Sequence, residues 1–174
     1  GLGRTGTLFA HEQSGVTPDI MTLAKALANG LPIGAMLTTS EIASSFVPGT
    51  HASTFGGNPV TSAAAVATLN VMLEEDFFEG VRTKSRYFRE ELQKLADRYP
   101  ALLSGVRGLG LILGAVLTEA GIAVGTEIVN KMFEKGFLMN FAGNLVLRFV
   151  PPLIVSEDEI DTLITALSEV LAEY

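Results

Sequence analysis

The sequence predicts an α/β chain in two parts. Residues 1–75 read as short strands joined by glycine-rich turns, and residues 76–174 as a compact α+β unit. Three observations carry this. Short apolar runs at 20–23 and 33–38 stand between clusters of Gly, Pro, Asn and Thr, the pattern of buried strands and tight turns. Val81, Phe88, Leu92, Leu95 and Tyr99 then recur at helical spacing, with Lys84, Arg86, Arg89, Glu90 and Lys94 mostly on other faces. Last, apolar runs flank Ala142-Gly-Asn144 as in a hairpin, and Ser156-Glu-Asp-Glu159 has the form of a capping box ahead of an amphipathic helix.

The chain begins with Gly1-Leu-Gly-Arg-Thr-Gly6, loop chemistry without a preceding element, so a truncated chain is expected. Gly1, Gly3 and Gly6 match a dinucleotide fingerprint by spacing, but that motif needs a strand before it and a helix opening within it. Neither is predicted, and the segment reads as a turn. Thr17-Pro18-Asp19 is a turn, residues 20–23 a buried strand and 33–38 another, with Gly30 and Pro32 breaking the chain between them. Residues 48–59 are mostly turn formers and hydroxyls, after which Pro59 opens a helix rich in alanine. Beyond the amphipathic helix, Gly105-Val-Arg-Gly-Leu-Gly110 reads as a lead into a buried strand at 111–117. A short helix at 124–135 stops at Gly136, strands at 137–141 and 145–150 form the hairpin, and the capped helix closes the chain.

With 174 residues and 48% hydrophobic content, the chain can bury a real core. A formal net charge of −7 with no Lys/Arg cluster argues against a nucleic-acid partner. No run approaches the ~18 apolar residues of a membrane span, so no membrane partner is expected. No cysteine and two histidines exclude disulfides and predict no metal site; they fit a reducing, cytoplasmic setting.

Three features carry chemistry. Lys25 lies in the apolar, glycine-bounded stretch Thr22-Leu-Ala-Lys-Ala-Leu-Ala-Asn-Gly30, where an amine either snorkels to water or is kept for reaction with a carbonyl. Ser53 and Thr54, with the glycines beside them, can donate to phosphate or carboxylate oxygens, or can belong to a plain surface loop. On the predicted strand, Arg148 alternates with Leu147 and Phe149 and shares a face with Val146 and Val150. A covered guanidinium there needs an anion, and its planar fork suits a carboxylate; the alternative is an edge arginine reaching water. Together they are one amine and two anion receptors, the parts that pyridoxal phosphate chemistry requires.

Gly3-Arg-Thr-Gly6, Pro18-Asp-Ile-Met-Thr-Leu-Ala-Lys25, Gly30-Leu-Pro-Ile-Gly34, Gly49-Thr-His-Ala-Ser-Thr-Phe-Gly-Gly-Asn-Pro59 and Arg148-Phe-Val-Pro-Pro-Leu153 resemble the C-terminal half of class III, fold type I aminotransferases. The resemblance implies that 1–75 is the end of the large pyridoxal 5'-phosphate-binding domain and 76–174 the small C-terminal domain. It implies that Lys25 is the catalytic residue and forms the Schiff base with the cofactor. It further implies that Thr54 binds the cofactor phosphate from the neighbouring subunit of a homodimer with shared sites, that Ser53 contacts substrate, and that Arg148 grips the α-carboxylate. The implied substrates are small amino and keto acids: an ornithine-like donor such as N-acetylornithine, and 2-oxoglutarate, in arginine biosynthesis. Ornithine, succinylornithine or 4-aminobutyrate transamination, a decarboxylase, a racemase, or a non-catalytic dimerising module remain alternatives. Ala52 stands where the family commonly has glycine, and Phe55 where it commonly has tyrosine. The family's Asp-Glu-x-Gln-Thr stretch, whose aspartate pairs with the pyridine nitrogen, is not in this sequence, which implies that these residues alone are inactive.

Overall fold

A computed structural model describes all residues, 1–174. It divides into two compact units: Gly1–Gly3 with Thr7–Phe78, and Arg4–Gly6 with Glu79–Tyr174.

In the first unit, β1 (Ile20–Leu23) pairs antiparallel with β2 (Ala35–Thr38), Ile20 opposite Thr38 and Leu23 opposite Ala35. The link between them is a 3-10 turn, Lys25–Ala28, ended by Asn29 in the left-handed region. Short helix α1 (Ser40–Ala43) starts at Thr39, whose side chain accepts from the Ile42 amide. Helix α2 (Pro59–Met72) begins where proline costs no hydrogen bond, with Asn58 accepting from the Val60 and Thr61 amides. The 3-10 turn packs against α2, and Leu27, Ala28, Ala65 and Met72 are buried in this unit. The expected strands are found, but not as buried ones. Ile20, Met36 and Leu37 are about half exposed, because a two-stranded ribbon with no covering layer cannot hide its side chains. Helix α2 likewise carries no charged residue, yet Val60, Val66 and Val71 face solvent.

The second unit is built on a four-stranded antiparallel sheet in the order β3-β4-β6-β5, comprising β3 (Leu103–Leu109), β4 (Ile112–Leu117), β5 (Asn140–Ala142) and β6 (Val146–Phe149). Helices α3 (Phe77–Arg98), α4 (Glu119–Glu134) and α5 (Glu157–Leu171) supply the rest of the core. Leu113, Ala115, Leu147 and Phe149 are buried, Leu113 opposite Phe149 and Ala115 opposite Leu147, so they share one face of the sheet. Phe88 of α3 meets Phe149 edge-on with ring centres 5.5 Å apart. The helical periodicity holds: Val81, Phe88, Leu92 and Leu95 are buried. Tyr99 lies just past the end of α3, and its hydroxyl donates to the Ser168 carbonyl at 2.9 Å.

Two expectations are corrected here. The glycine-rich stretch at 105–110 is not a lead-in but most of β3, paired with β4 from Leu103 opposite Leu117 to Leu109 opposite Ile112. Its glycines disguised it: Gly105 and Gly108 have φ of 148° and 124°, values open to glycine and poor for other residues. Helix α4 starts five residues earlier than 124, because the Thr118 hydroxyl caps the Gly121 amide at 3.2 Å. Gly121 is an interior helical residue here, and it lets the helix lie against the Leu102 carbonyl.

Candidate active-site residues

Lys25 opens the 3-10 turn two residues after β1, with a backbone φ of 54°. For a lysine this left-handed conformation costs roughly 1–2 kcal/mol, so it survives only where neighbours enforce it. They do: the turn is held by the Leu27 amide to the Ala24 carbonyl at 3.2 Å and the Asn29 amide to the Ala26 carbonyl at 3.1 Å, and by burial of Leu27 and Ala28. The side chain is exposed, and its ammonium has no hydrogen-bond or ion-pair partner within the chain. Lys25 is thus an unpartnered amine on an anchored, strained turn.

Ser53 and Thr54 lie in the irregular segment that enters α2, both exposed and both with hydroxyls free of partners. Gly56 is tucked under Ser53: a Cβ on it would come within 3.0 Å of the Ser53 Cβ. Gly57 turns left-handed at φ 70°, and Asn58 then occupies the first amides of α2. An anion at this loop would therefore be met by hydroxyls and loop amides, not by the helix terminus. Phe55 is 80% exposed. Lys25 and this loop both attach to α2, one by packing and one by chain continuity.

Arg148 belongs to the second unit. It stands on the sheet face opposite the core, between Gly114 of β4 and Asn140 of β5 in the register. Its Nε donates to the Asn140 Oδ1 at 3.1 Å, leaving the outer edge of the guanidinium free. The side chain is exposed, and no carboxylate of the chain pairs with it. Three residues on, the Pro151 carbonyl is held by the Arg4 guanidinium, which also donates to the Leu111 carbonyl at 3.2 Å. The Leu111 amide returns a bond to the Arg4 carbonyl at 2.9 Å. Burial pushes the Arg4 guanidinium below its ordinary pKa. Arg4 therefore ties the start of β4 to the exit of β6, the strand that carries Arg148. Gly6, which completes the dinucleotide-like spacing, accepts from Arg82 through its carbonyl at 2.7 Å; no strand precedes it and only a 3-10 turn, Ala10–Ser14, follows it, so the segment is a strap and not a phosphate loop.

The sequence marks Arg4 only as part of a turn and of the Gly3-Arg-Thr-Gly6 motif, with no role of its own, and does not single out Arg107. Arg107 pairs in register with Gly114, one strand from Arg148 on the same face. Recognising β3 as a strand was the step that would have revealed it.

Residues 1–171 match the family described as aminotransferase class-III. An acetylornithine aminotransferase of Caldanaerobacter subterraneus is 50% identical over 173 residues, which are 99% of this chain and 43% of that protein. One from Methanocaldococcus jannaschii is 49% identical, with 99% and 42% covered. Among solved structures, N-acetylornithine aminotransferase from Stenotrophomonas maltophilia superposes with a TM-score of 0.87 at 37% identity, over 99% of this chain and 44% of that one. Ornithine aminotransferase from Plasmodium yoelii gives 0.90 at 30% identity, over 99% and 46%. The chain thus spans less than half the length of the relatives it matches. No helix is long and apolar enough to cross a membrane. The match runs through the Lys25 turn, the hydroxyl loop and the Arg148 strand alike, and the chain belongs to the class-III aminotransferase family.

Proposed function

We propose that this chain is the C-terminal part of a pyridoxal phosphate-dependent aminotransferase that moves an amino group from N-acetylornithine to 2-oxoglutarate in cytoplasmic arginine biosynthesis. In this reading residues 1–75 end the large cofactor-binding domain and 76–174 form the small domain. The observation that carries it is Lys25: a partnerless, exposed amine on a backbone held in a costly conformation, within a chain matched to the family over 1–171. The choice of donor rests on relatives 49–50% identical that are named acetylornithine aminotransferases. Ornithine itself is the second reading, supported by the 0.90 superposition on an ornithine aminotransferase.

The residues present suit the cofactor. An aldehyde needs an unblocked amine, and the Lys25 Nζ has no competing partner. A phosphate needs donors not already engaged, and the Ser53 and Thr54 hydroxyls are free. When bound, pyridoxal phosphate supplies the electron sink that makes the substrate Cα–H acidic. Lys25 would hold the cofactor through its Nζ, and the same Nζ, when unbound, would carry the proton from the substrate Cα. Thr54 would donate to the phosphate across the interface of a homodimer with shared sites, and Ser53 would contact substrate. The free edge of Arg148 would take the substrate α-carboxylate in a paired hydrogen bond, fixing which Cα bond is presented for cleavage.

The test is borohydride reduction of the chain completed to the full length of its relatives and loaded with cofactor. Reduction is expected to fix the cofactor to Lys25, detected by peptide mass, and Lys25→Ala is expected to bind cofactor without a reducible linkage. A linkage retained in Lys25→Ala would overturn the assignment.

A further inference from the structure

The ladder between β4 and β6 stops one rung short of where its register leads, and Arg4 fills that rung. The Leu117 amide donates to the Leu145 carbonyl at 2.9 Å, which marks these two as a hydrogen-bonded pair. In an antiparallel ladder such pairs alternate with non-bonded ones. Ala115 opposite Leu147 and Leu113 opposite Phe149 are therefore the next two, and the same register carried on by two residues sets Leu111 opposite Pro151. That rung cannot close. Pro151 has no N–H to give the Leu111 carbonyl. The Leu111 amide turns instead to the Arg4 carbonyl, at 2.9 Å. The two carbonyls left over, those of Leu111 and Pro151, both accept from Arg4 Nη1. Main chain and side chain of one residue thus supply the acceptor and the donor that the proline took out of the ladder.

The surroundings are shaped to admit it. A Cβ on Gly110 would lie 2.1 Å from the Arg4 carbonyl oxygen and 2.6 Å from the Thr5 Cα, so only glycine leaves room for the strap there. No carboxylate pairs with the half-buried Arg4 guanidinium, which faces carbonyl oxygens instead. Beside this rung stands Arg148. Strand β6 is four residues long, with Arg148 the third and Phe149 the last that pairs. Opposite Arg148 on β4 is Gly114, which has no side chain to steady a guanidinium, and the Arg148 side chain is held only through Asn140 on β5. Pro151 and Pro152 follow without an N–H, so the chain there can be anchored only through its carbonyls. A strand end without its last rung opens readily.

We infer that Arg4 is a positioning residue: it completes the terminal rung between β4 and β6 and thereby fixes where the Arg148 guanidinium stands for substrate binding. This rests on the reading of Arg148 as the receptor of the substrate carboxylate. Arg4 acts through β6, not by contact with substrate.

The test is a double-mutant cycle of Arg4→Met and Pro151→Ala in the chain completed to the full length of its relatives and loaded with cofactor, read by steady-state kinetics. Arg4→Met keeps the apolar stem and removes the donor. It is expected to raise the KM for the amino-acid donor about tenfold, with kcat within about twofold and the borohydride linkage at Lys25 retained. Pro151→Ala returns an N–H opposite the Leu111 carbonyl and is expected to leave KM within about twofold of the parent. Added to Arg4→Met it is expected to bring KM back to within about threefold, a coupling that only a shared rung predicts. A stability role alone would lower kcat with the amount of active protein and leave KM in place; that outcome, or a raised KM that Pro151→Ala does not restore, overturns the proposal. If Arg4→Met does not fold, Arg4→Lys carries the test, since one ammonium reaches fewer carbonyls than the guanidinium: KM is expected to rise about threefold, and an unchanged KM overturns the proposal. Arg148→Lys in parallel separates the two readings. An unchanged KM there overturns the receptor reading and this proposal with it, whereas a raised KM there beside an unchanged KM in Arg4→Met overturns this proposal alone.

Discussion

Lys25 and Arg148 depend on their surroundings in different ways. Lys25 is presented by a strained backbone that the buried Leu27 and Ala28 hold in place. Arg148 is presented by a regular strand and steered only by Asn140. Arg148→Lys in the completed enzyme is therefore expected to leave cofactor binding intact and to raise the KM for the carboxylate substrate about tenfold to a hundredfold. The basis is the loss of one arm of a charge-assisted pair worth about 1.5–3 kcal/mol. Steady-state kinetics beside the cofactor absorbance checks this, and unchanged kinetics would make the arginine structural. Residue types at these positions were legible from sequence because each is anomalous where it stands: a lysine in an apolar run, an arginine between valines. Arg4 and Arg107 were not, since each is ordinary in its own segment. Their significance comes from Pro151 and Arg148, which are remote in the chain.

At the scale of elements, the capped start of α5 was legible in the sequence, whereas that of α4 was not. The Ser156 box is present as expected, with the Glu159 carboxylate accepting from the Ser156 amide at 2.8 Å and the Ser156 hydroxyl accepting from the Glu159 amide at 3.2 Å. The Ser156 amide, and after it the Ser156 hydroxyl donating to the same carboxylate at 3.2 Å, hold the Glu159 carboxyl below the usual carboxylate range. The cap's ionic contribution is therefore complete above that range and lost as pH falls through the lowered value. Urea unfolding from about pH 6 down to about pH 2 is expected to show a steeper loss of stability in the parent than in Glu159→Gln, which has no carboxylate to titrate. Interior glycines were the least legible. Replacing a helical glycine by alanine ordinarily stabilises by roughly 0.5–1 kcal/mol. Gly121→Ala is expected to do the reverse, because its Cβ would lie 2.2 Å from the Leu102 carbonyl oxygen, a backbone atom that cannot rotate away. A loss of about 1–3 kcal/mol in thermal unfolding is the expected outcome.

At the scale of the whole chain, the two units differ in how their apolar residues are used. The sheet unit buries Phe88, Leu92, Leu147, Ile160 and Leu167 almost completely, whereas the first unit leaves Val60, Val66 and Phe55 in water. Across the sheet unit, α3 and α5 are joined by the Tyr87 hydroxyl donating to the Asp161 Oδ1 at 2.5 Å. That bond, together with partial desolvation and the Asp161 charge, pushes the Tyr87 hydroxyl up to about 12. Because the raised value belongs to the folded state, the contribution is whole below the usual tyrosine value of 10.0 and is lost as pH rises toward about 12. Tyr87→Phe is expected to flatten this alkaline loss while lowering stability at neutral pH. Denaturant melts of parent and variant on both sides of pH 10.0 check it.

The sequence by itself determined what short-range chemistry can write: the periodicity of α3, the capping box of α5, the hairpin at Gly143, and the motifs around Lys25, Thr54 and Arg148. Neighbouring residues fix such features through their own conformational preferences and spacing. Only the tertiary structure decided that residues 103–109 form a strand, that Gly121 must be glycine, and that Arg107 joins Arg148 on one face. Those outcomes depend on strand register and on the approach of backbones far apart in the chain, and register is set by packing across the sheet rather than within any one segment.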